Sequence, residues 1–175
     1  MKQLIARILR VLKLEDELYR EVESVPDAIS EAVIIVIISS IAAGIGSLGK
    51  IGLTGIIIIT LGSLVNWIIW AFLVYFIATN IIRGSRVYLS QGDFLRVVGF
   101  ASAPGIIRIL ALLPGMYYIV HIIAHLWMIA SMIVAVREVF MFEKTSGAVK
   151  VSIVGWVFMV LAAFVLGSAA RAVGF

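Results

Sequence analysis

Five apolar stretches of membrane-spanning length occupy most of the chain. They cover residues 29–48, 63–82, 94–113, 115–136 and 148–170. A helix of about 20 residues crosses the roughly 30 Å of hydrocarbon in a bilayer. Hydrophobic residues make up 63% of the 175 residues and charged residues only 14%, whereas soluble domains carry about 25% charged residues. The sequence therefore predicts an all-α protein, a polytopic transmembrane helical bundle with five spans.

The second of these spans lies in an apolar region that is too long for one ordinary crossing. Residues 51–82 would make roughly 48 Å of helix at about 1.5 Å per residue. We predict a break near Thr60 to Ser63, so that 63–82 spans the membrane and 51–59 is an interfacial or re-entrant approach. A single long, tilted helix is the alternative interpretation.

The segment 1–25 precedes the spans and has helical periodicity. Leu4, Ile8 and Leu12, with Ile5 and Leu9 beside them, form one apolar stripe. Basic residues occupy the first half and acidic residues the second: Lys2, Arg7, Arg10 and Lys13, then Glu15, Asp16, Glu17, Glu21 and Glu23. We expect an amphipathic helix whose basic half lies against anionic headgroups. The alternative is a helix that packs its stripe on the rest of the protein or on a second copy.

The distribution of Lys and Arg orients the five predicted spans. With a cytoplasmic amino terminus, eleven of the 14 basic residues fall inside and three outside. The inner residues are Lys2, Arg7, Arg10, Lys13, Arg20, Arg83, Arg86, Arg96, Arg137, Lys144 and Lys150, and the outer ones are Lys50, Arg108 and Arg171. This asymmetry follows the positive-inside rule and predicts an external carboxyl terminus. Because topology explains the basic residues, we expect no nucleic-acid partner.

The third span is unusual because Pro104 and Gly105 lie at its middle and an arginine lies on either side. Pro104 removes the backbone hydrogen bond to the carbonyl of Phe100, which Ser102 or Asn66 of a neighbouring helix is placed to compensate. A simple kink is one interpretation. Arg108 has two interpretations: it meets an anionic substrate or lipid headgroup in a cavity, or it extends outward to the interface.

Catalytic motifs are weak in this sequence. The run Ser90-Gln91-Gly92-Asp93 approximates the GxGD motif of membrane aspartyl proteases, but glycine is missing at position 90 and no span carries a second aspartate. We interpret Asp93 as the amino-terminal cap of the third span, where a carboxylate accepts from free backbone amides. The chain contains no cysteine. We therefore expect no enzyme and no cofactor.

The fourth span carries two histidines one helical turn apart, His121 and His125. This spacing suits zinc binding, but the glutamate of the HExxH motif is absent and no acidic residue is predicted in the outer half of the bundle. Hydrogen bonds from neutral histidines to neighbouring helices are the plainer interpretation. A metal site or proton relay is the alternative.

Two runs of the sequence resemble a known family. LKLEDELYREVESVPDAISEA precedes the first span, and NIIRGSRVYLSQGDFLRVVGFASAPGIIRIL leads into the third. Both are similar to the Yip1 domain family of five-span membrane proteins, which have a cytoplasmic amino terminus and a Gly-rich inner loop before a span with alanine and proline. The matching residues are Gly84, Gly92, Phe94, Ala103 and Pro104. The resemblance covers about residues 14–170.

The resemblance implies a protein that organises or shapes membranes or serves as a scaffold for partner proteins. Expected partners are membrane lipids and either a second copy or another membrane protein. Eukaryotic members are associated with Rab-type GTPases, but the chain resembles the prokaryotic members, so we do not extend Rab binding to it and expect a prokaryotic cell membrane. The alternative function is a transporter or channel for a small solute or ion, using the broken third span with Arg108 and the two histidines.

Overall fold

The computed structural model describes residues 2–82 and 89–172, with side chains except at 50, 51, 54, 159, 160 and 162–172. These residues form helices and loops and no strand, which confirms the all-α prediction. The helices are α1 (Lys2–Leu12), α2 (Glu17–Ser24), α3 (Ala28–Gly46), α4 (Leu48–Phe76), α5 (Gln91–Ala101), α6 (Tyr117–Val139) and α7 (Thr145–Ala172). A π-helical turn, Ile77–Ile81, extends α4, and a 3-10 segment, Ala103–Leu112, follows α5.

Four helical stretches of the described residues are long and apolar enough to cross a membrane. They are Ala28–Gly46, Gly55–Ile81, Gln91–Leu112 and Tyr117–Val139. Each reaches the length of about 20 residues that a bilayer requires. The fold is thus compatible with an integral membrane protein.

The predicted break near Thr60 to Ser63 is wrong. The backbone of α4 departs from helical geometry at Gly52 instead, where φ is +65°. Glycine adopts this conformation without the steric cost of a side chain. Glycine and serine within 60–63 do not force a break, because helices in lipid tolerate small and polar residues in their interior. After Gly52 the helix continues through residues 60–63 to Phe76, which agrees with the alternative interpretation of a long helix there.

The basic residues of α1 bind carboxylates of the protein. The guanidinium of Arg7 donates to Glu21 at 2.8 Å and to Glu31 at 2.7 Å, and that of Arg10 donates to Glu15 at 2.8 Å and Glu21 at 2.5 Å. Hydrogen bonding to Arg10 lowers the pKa of Glu21; burial opposes this shift and Arg7 adds to it. These ion pairs tie α1 to α2 and to the start of α3.

The apolar stripe of α1 is divided between the bundle and the surface. Leu4 and Ile8 are half-buried and pack against the core, whereas Ile5 and Leu9 are 54% and 53% exposed. The helix contacts α2, α5 and the 3-10 segment. The alternative interpretation, in which the stripe packs on the rest of the protein, therefore holds for one side of α1 and leaves the other side uncovered.

Aromatic residues fill the core where α2, α4, α5 and α6 meet. The ring of Phe94 lies 5.0 Å from that of Phe140 and 6.3 Å from that of Tyr75. The hydroxyl of Tyr19 in α2 forms a 2.6 Å hydrogen bond with that of Ser131 in α6. Burial raises the pKa of Tyr19 to about 12, an effect that this bond partly offsets. These contacts fix α2 against the bundle.

Helix α3 runs in the same direction as α5 and the 3-10 segment and lies very close to both. A Cβ atom built on Gly99 would lie 2.7 Å from the Cβ of Ala32. Further along, a Cβ on Gly46 would overlap the carbonyl oxygen of Arg108. Since no side chain fits at either point, these glycines allow the backbone contact that holds Ser39 of α3 beside the middle of the third candidate span.

Candidate functional site

The third candidate span changes helix type at Ser102. Its hydroxyl donates to the carbonyl of Gly99 at 2.6 Å, and its own carbonyl accepts from the hydroxyl of Ser39 at 3.1 Å. Pro104 then lies in the first turn of the 3-10 segment, where its missing N–H is tolerated. The predicted kink is thus a change from α to 3-10 geometry. Ser102 supplies a compensating bond, but to Gly99 rather than to Phe100.

Arg108 turns into the bundle instead of extending to the interface. Its Nε donates to the carbonyl of Gly105 at 2.9 Å. Its Nη2 donates to the carbonyl of Ser39 at 3.1 Å and to the hydroxyl of the same residue at 2.8 Å. The guanidinium therefore lies beside the middle of α3, about one turn back along the chain from its own Cα.

Gly105 makes room for this arrangement. A Cβ atom at this position would lie 2.6 Å from Nη2 of Arg108 and closer still to Oγ of Ser39. It would also lie 3.0 Å from Sδ of Met128 on α6. A side chain at 105 would therefore displace the guanidinium from Ser39, which gives a steric reason for the Pro-Gly pair beyond helix breaking.

A cavity of about 360 Å³ lies beside the Arg108 guanidinium. Residues of α3, α4, α5, the 3-10 segment, α6 and α7 all contribute to its walls. Its polar lining residues are Ser39, Ser40, Ser63, Asn66, Ser102, Arg108 and His125, and its apolar ones include Trp67, Trp70, Met128, Met132 and Trp156. The structure thus places Arg108 and His125 in the lining of one cavity between the helices. Pro104 is not among the lining residues.

No carboxylate of the described residues neutralises Arg108. The ten acidic residues of the chain all lie outside the cavity lining. The acidic residues of the described structure instead pair with other cations, as Glu21 does with Arg7, Glu138 with Arg20 and Asp93 with Arg96. An arginine at membrane depth normally faces a cavity or a partner group. The hydrogen-bond partners of Arg108 among the described residues are backbone carbonyls and a hydroxyl, and none of them is negatively charged.

Two cavity residues, Ser39 and Trp67, were not predicted as site residues from the sequence. Ser39, the acceptor for Arg108, lies in the apolar run of α3, and a pair of adjacent serines there is the only signal that pointed to a polar site. The second residue is Trp67. It is 9% exposed, and within the described part of the chain its indole Nε1 is buried without a hydrogen-bond partner. A buried donor without an acceptor is costly and is often found at functional sites.

The two histidines bond to their own helix rather than to neighbouring helices. Nδ1 of His121 lies 2.8 Å from the carbonyl oxygen of Tyr117, and Nδ1 of His125 lies 2.7 Å from that of His121. A carbonyl is only an acceptor, so each Nδ1 carries a proton and each Nε2 remains free to bind elsewhere. The described residues contain no group of three or more metal-ligating side chains. Of the two histidines, His125 lines the cavity and His121 does not.

Asp93 and Arg96 belong to a cluster at the start of α5 that is separate from the cavity. Ser90 is the cap of α5, and Asp93 completes a capping box: its carboxylate accepts from the backbone N–H of Ser90 at 3.3 Å, and its own N–H donates to the Ser90 hydroxyl at 3.1 Å. Buried Arg96 bonds to Asp93 at 2.7 Å and to the carbonyl oxygens of Val22 and Glu23. The predicted cap is thus shared with Ser90, and Arg96 holds the end of α2 against α5.

The other residues of the Gly-rich motif lie apart from the cavity. Phe94 is fully buried in the aromatic core. Gly92 lies in the first turn of α5, where an added Cβ would approach only the Ser90 hydroxyl, at 3.8 Å. Gly84 lies outside the described residues. Gly105 and Arg108 of the third candidate span, by contrast, are bonded to one another beside the cavity.

Comparison with known proteins gives no relative. No protein-family model, no curated protein and no solved structure matches the chain. The residues of the cavity and the arrangement of the helices are therefore what indicates the function of the chain.

Proposed function

We propose that the chain is a non-enzymatic integral membrane protein with five spans, a cytoplasmic amino terminus and an external carboxyl terminus. Besides the four candidate spans, α7 has 28 helical residues, a length of about 42 Å that exceeds the thickness of the hydrocarbon core. The excess of Lys and Arg on one side supports this topology. Because the chain contains no cysteine, single cysteines introduced at Gln3 and Ser146 test the cytoplasmic placement of these positions. We expect them to react with an impermeant thiol reagent only in opened cells.

Within that topology we propose a transporter or channel for a small solute. The observation that carries this proposal is the cavity that brings Arg108, Asn66 and His125 together among the long helices. Its volume of about 360 Å³ lies in the range of small-molecule sites, and its mixture of aromatic walls with a few polar groups is typical of such sites. A change of helix type beside the cavity, at Ser102, is also typical of transporters, whose binding sites are built at discontinuous helices.

Flux into proteoliposomes tests this proposal. We expect uptake of at least one of three radiolabelled probes, lactate, inorganic phosphate or choline, at a rate above that of protein-free liposomes. Ser63→Trp fills the cavity and is expected to abolish uptake, whereas Val65→Trp places the same side chain at an exposed position of the same helix and is expected to preserve it. Equal uptake with the two variants would refute transport through this cavity.

A second proposed function is membrane organisation or scaffolding of the Yip1 type. The observation that favours it is the uncovered side of α1, where Ile5 and Leu9 are more than half exposed next to the bundle. An amphipathic helix with such a side binds the interfacial region of a membrane, a second copy or another membrane protein. The ion pairs of Arg7 and Arg10 weaken the expectation that these residues meet anionic headgroups.

Vesicle remodelling tests the second function. Ile5→Asp with Leu9→Asp is expected to abolish tubulation of vesicles by the purified protein, because it removes only exposed apolar surface. The corresponding change at Leu4 and Ile8 is unsuitable, since these side chains pack against the core and their loss destabilises the fold. Unchanged tubulation by the double variant at positions 5 and 9 would exclude α1 as the remodelling element.

A further inference from the structure

We infer that the cavity binds an oxyanion, a carboxylate or a phosphate, attached to an apolar body, with Arg108 as its counter-ion. This inference rests on the proposed function of the cavity as a solute site and specifies its ligand class.

The charge balance of the site favours an anion. Arg108 carries the only formal charge among the described lining residues, and the ten Asp and Glu side chains lie elsewhere. An arginine held at membrane depth without a negative partner carries a large desolvation cost. A bound anion removes that cost, whereas a bound cation increases it. The electrostatics therefore favour a negatively charged ligand.

The guanidinium of Arg108 uses only part of its hydrogen-bond donors within the protein. Nε and Nη2 are bonded to Gly105 and Ser39, and these bonds fix the orientation of the side chain. Nη1 has no hydrogen bond among the described residues and retains two N–H donors. Donors held in a fixed geometry and charged at any physiological pH bind carboxylate and phosphate oxygens strongly. Arg108 is thus positioned by three hydrogen bonds to two residues, and its third nitrogen, Nη1, is free to bind a ligand.

Two further residues of the cavity lining carry neutral donors. Asn66 and Trp67 both line the cavity, and the indole N–H of Trp67 is buried and without a partner within the described chain. An indole N–H is only a donor, so its natural complement is an acceptor-rich group. A carboxylate or phosphate offers several acceptor oxygens and accommodates Arg108 together with a neutral donor.

The remaining wall determines the rest of the ligand. Trp70, Met128, Met132 and Trp156 line the cavity with apolar surface. Aromatic and thioether side chains bind an aliphatic or aromatic body by hydrophobic contact. The site therefore fits an amphiphilic anion better than a fully hydrated inorganic one. Such an oxyanion is supplied by a dissolved organic acid or by an anionic lipid headgroup with its acyl chains.

Binding of benzoate to the full chain in phosphatidylcholine nanodiscs tests the inference. Radiolabelled benzoate is displaced by phenylphosphate, benzyl alcohol or benzylamine, which have similar bodies and differ in charge. We expect phenylphosphate to compete, and the neutral and cationic analogues to bind about 10- to 100-fold more weakly, the range for losing a charge-assisted hydrogen bond. If benzyl alcohol or benzylamine binds as tightly as benzoate, the inferred ligand class is wrong while a solute site remains.

Two variants locate the binding at Arg108. Arg108→Gln is expected to weaken benzoate binding about 10- to 100-fold. Because this change also affects packing, Asn66→Asp provides an isosteric test: it adds a negative charge to the cavity and is expected to weaken benzoate binding with little change in shape. Asn80→Asp is the matched control, since Asn80 is exposed like Asn66 but lies in the π-helical turn after α4, bonds to Phe76 and Thr79, and does not line the cavity. Equal affinities for the two Asn→Asp variants would overturn the assignment.

The source of the oxyanion is distinguished by lipid composition. If an anionic lipid occupies the site, replacing part of the phosphatidylcholine by phosphatidylglycerol displaces benzoate from the native protein and equally from Asn80→Asp, whose cavity is unchanged. If the source is a dissolved acid, benzoate binding is unchanged by phosphatidylglycerol. Both results support an oxyanion site. Absence of binding by every probe, of any charge and in either lipid, overturns both this inference and the proposed solute site.

Discussion

Substitution of Gly105 by alanine is the most direct test of how the site is built. The added methyl group would lie 2.6 Å from Nη2 of Arg108, closer still to Oγ of Ser39, and 3.0 Å from Sδ of Met128. The methionine is flexible, but Ser39 is held in α3 and Arg108 is bonded to it. We therefore expect Gly105→Ala to separate the guanidinium from Ser39 rather than to be absorbed by a small shift.

The expected cost follows from these contacts. Overpacking of a dense interior costs about 1–3 kcal/mol, and a hydrogen bond to a charged group contributes about 1.5–3 kcal/mol. These two costs are partly alternatives. If Arg108 moves to relieve its overlap with the methyl group, its hydrogen bonds to Ser39 are lost; if it does not move, the bonds remain and the overlap is the cost. We expect a loss of about 3 kcal/mol in the free energy of unfolding.

Unfolding of the purified protein in mixed micelles by increasing fractions of a denaturing detergent measures this loss. Gly92→Ala is the matched control, since its added Cβ would meet only the Ser90 hydroxyl at 3.8 Å. Alanine is the better helix former, so the control is expected to be neutral or to stabilise the protein by up to about 1 kcal/mol. Similar unfolding free energies for the two variants would refute the steric reasoning.

A second comparison identifies the cause of the destabilisation. In a Ser39→Ala background the hydroxyl nearest to the added methyl group is absent, so Gly105→Ala is expected to cost clearly less than in the native background. If the two substitutions are instead additive within about 0.5 kcal/mol, the cost does not arise from the contact between Gly105, Ser39 and Arg108.

Three further predictions concern other contacts. The lowered pKa of Glu21 stabilises the attachment of α1 above its ordinary pKa of 4.5, and this stability is lost as the pH falls through the lower folded value. The protection of α1 amides from hydrogen exchange, corrected for the intrinsic pH dependence of exchange, is therefore expected to fall in acid in the native protein. It is expected to fall less in Glu21→Gln, where Glu31 and Glu15 still pair with Arg7 and Arg10. Tyr19→Phe leaves the fully buried Ser131 hydroxyl without its partner and is expected to cost about 1–2 kcal/mol in detergent unfolding. Gly46→Ala brings a methyl group into a backbone carbonyl and is expected to cost about 3 kcal/mol or to prevent folding, as purification yield and unfolding show.

The class of fold was accessible from sequence because it depends on local quantities. Runs of about 20 apolar residues predict membrane helices from length alone. The break in the second span was misplaced for a related reason: Thr60, Gly62 and Ser63 are small or polar, but only the backbone angle at Gly52 shows where the helix actually departs from regular geometry. Composition indicates where a break is tolerated and not where it occurs.

The candidate site was accessible only in part, because it depends on which helices meet. Arg108 and His125 stood out as polar residues in apolar runs, but nothing in the sequence showed that they line one cavity with Asn66. The inward turn of Arg108 depends on Ser39, which is 69 residues away along the chain. Pairing at that separation is a property of tertiary packing.

Pro104, Gly105 and Arg108 form one structural unit. In a 3-10 helix, residues three apart are aligned, so Arg108 lies over Gly105 and its Nε bonds to the Gly105 carbonyl. Pro104 favours this geometry by starting the segment without a backbone N–H. Pro104→Ala is expected to allow α-helical continuation, which over five residues rotates position 108 by about 100°. Arg108 would then leave the cavity, so benzoate binding should weaken as in Arg108→Gln while the protein remains folded. Native affinity in a folded Pro104→Ala variant would show that contacts of α3, rather than the proline, impose the 3-10 geometry.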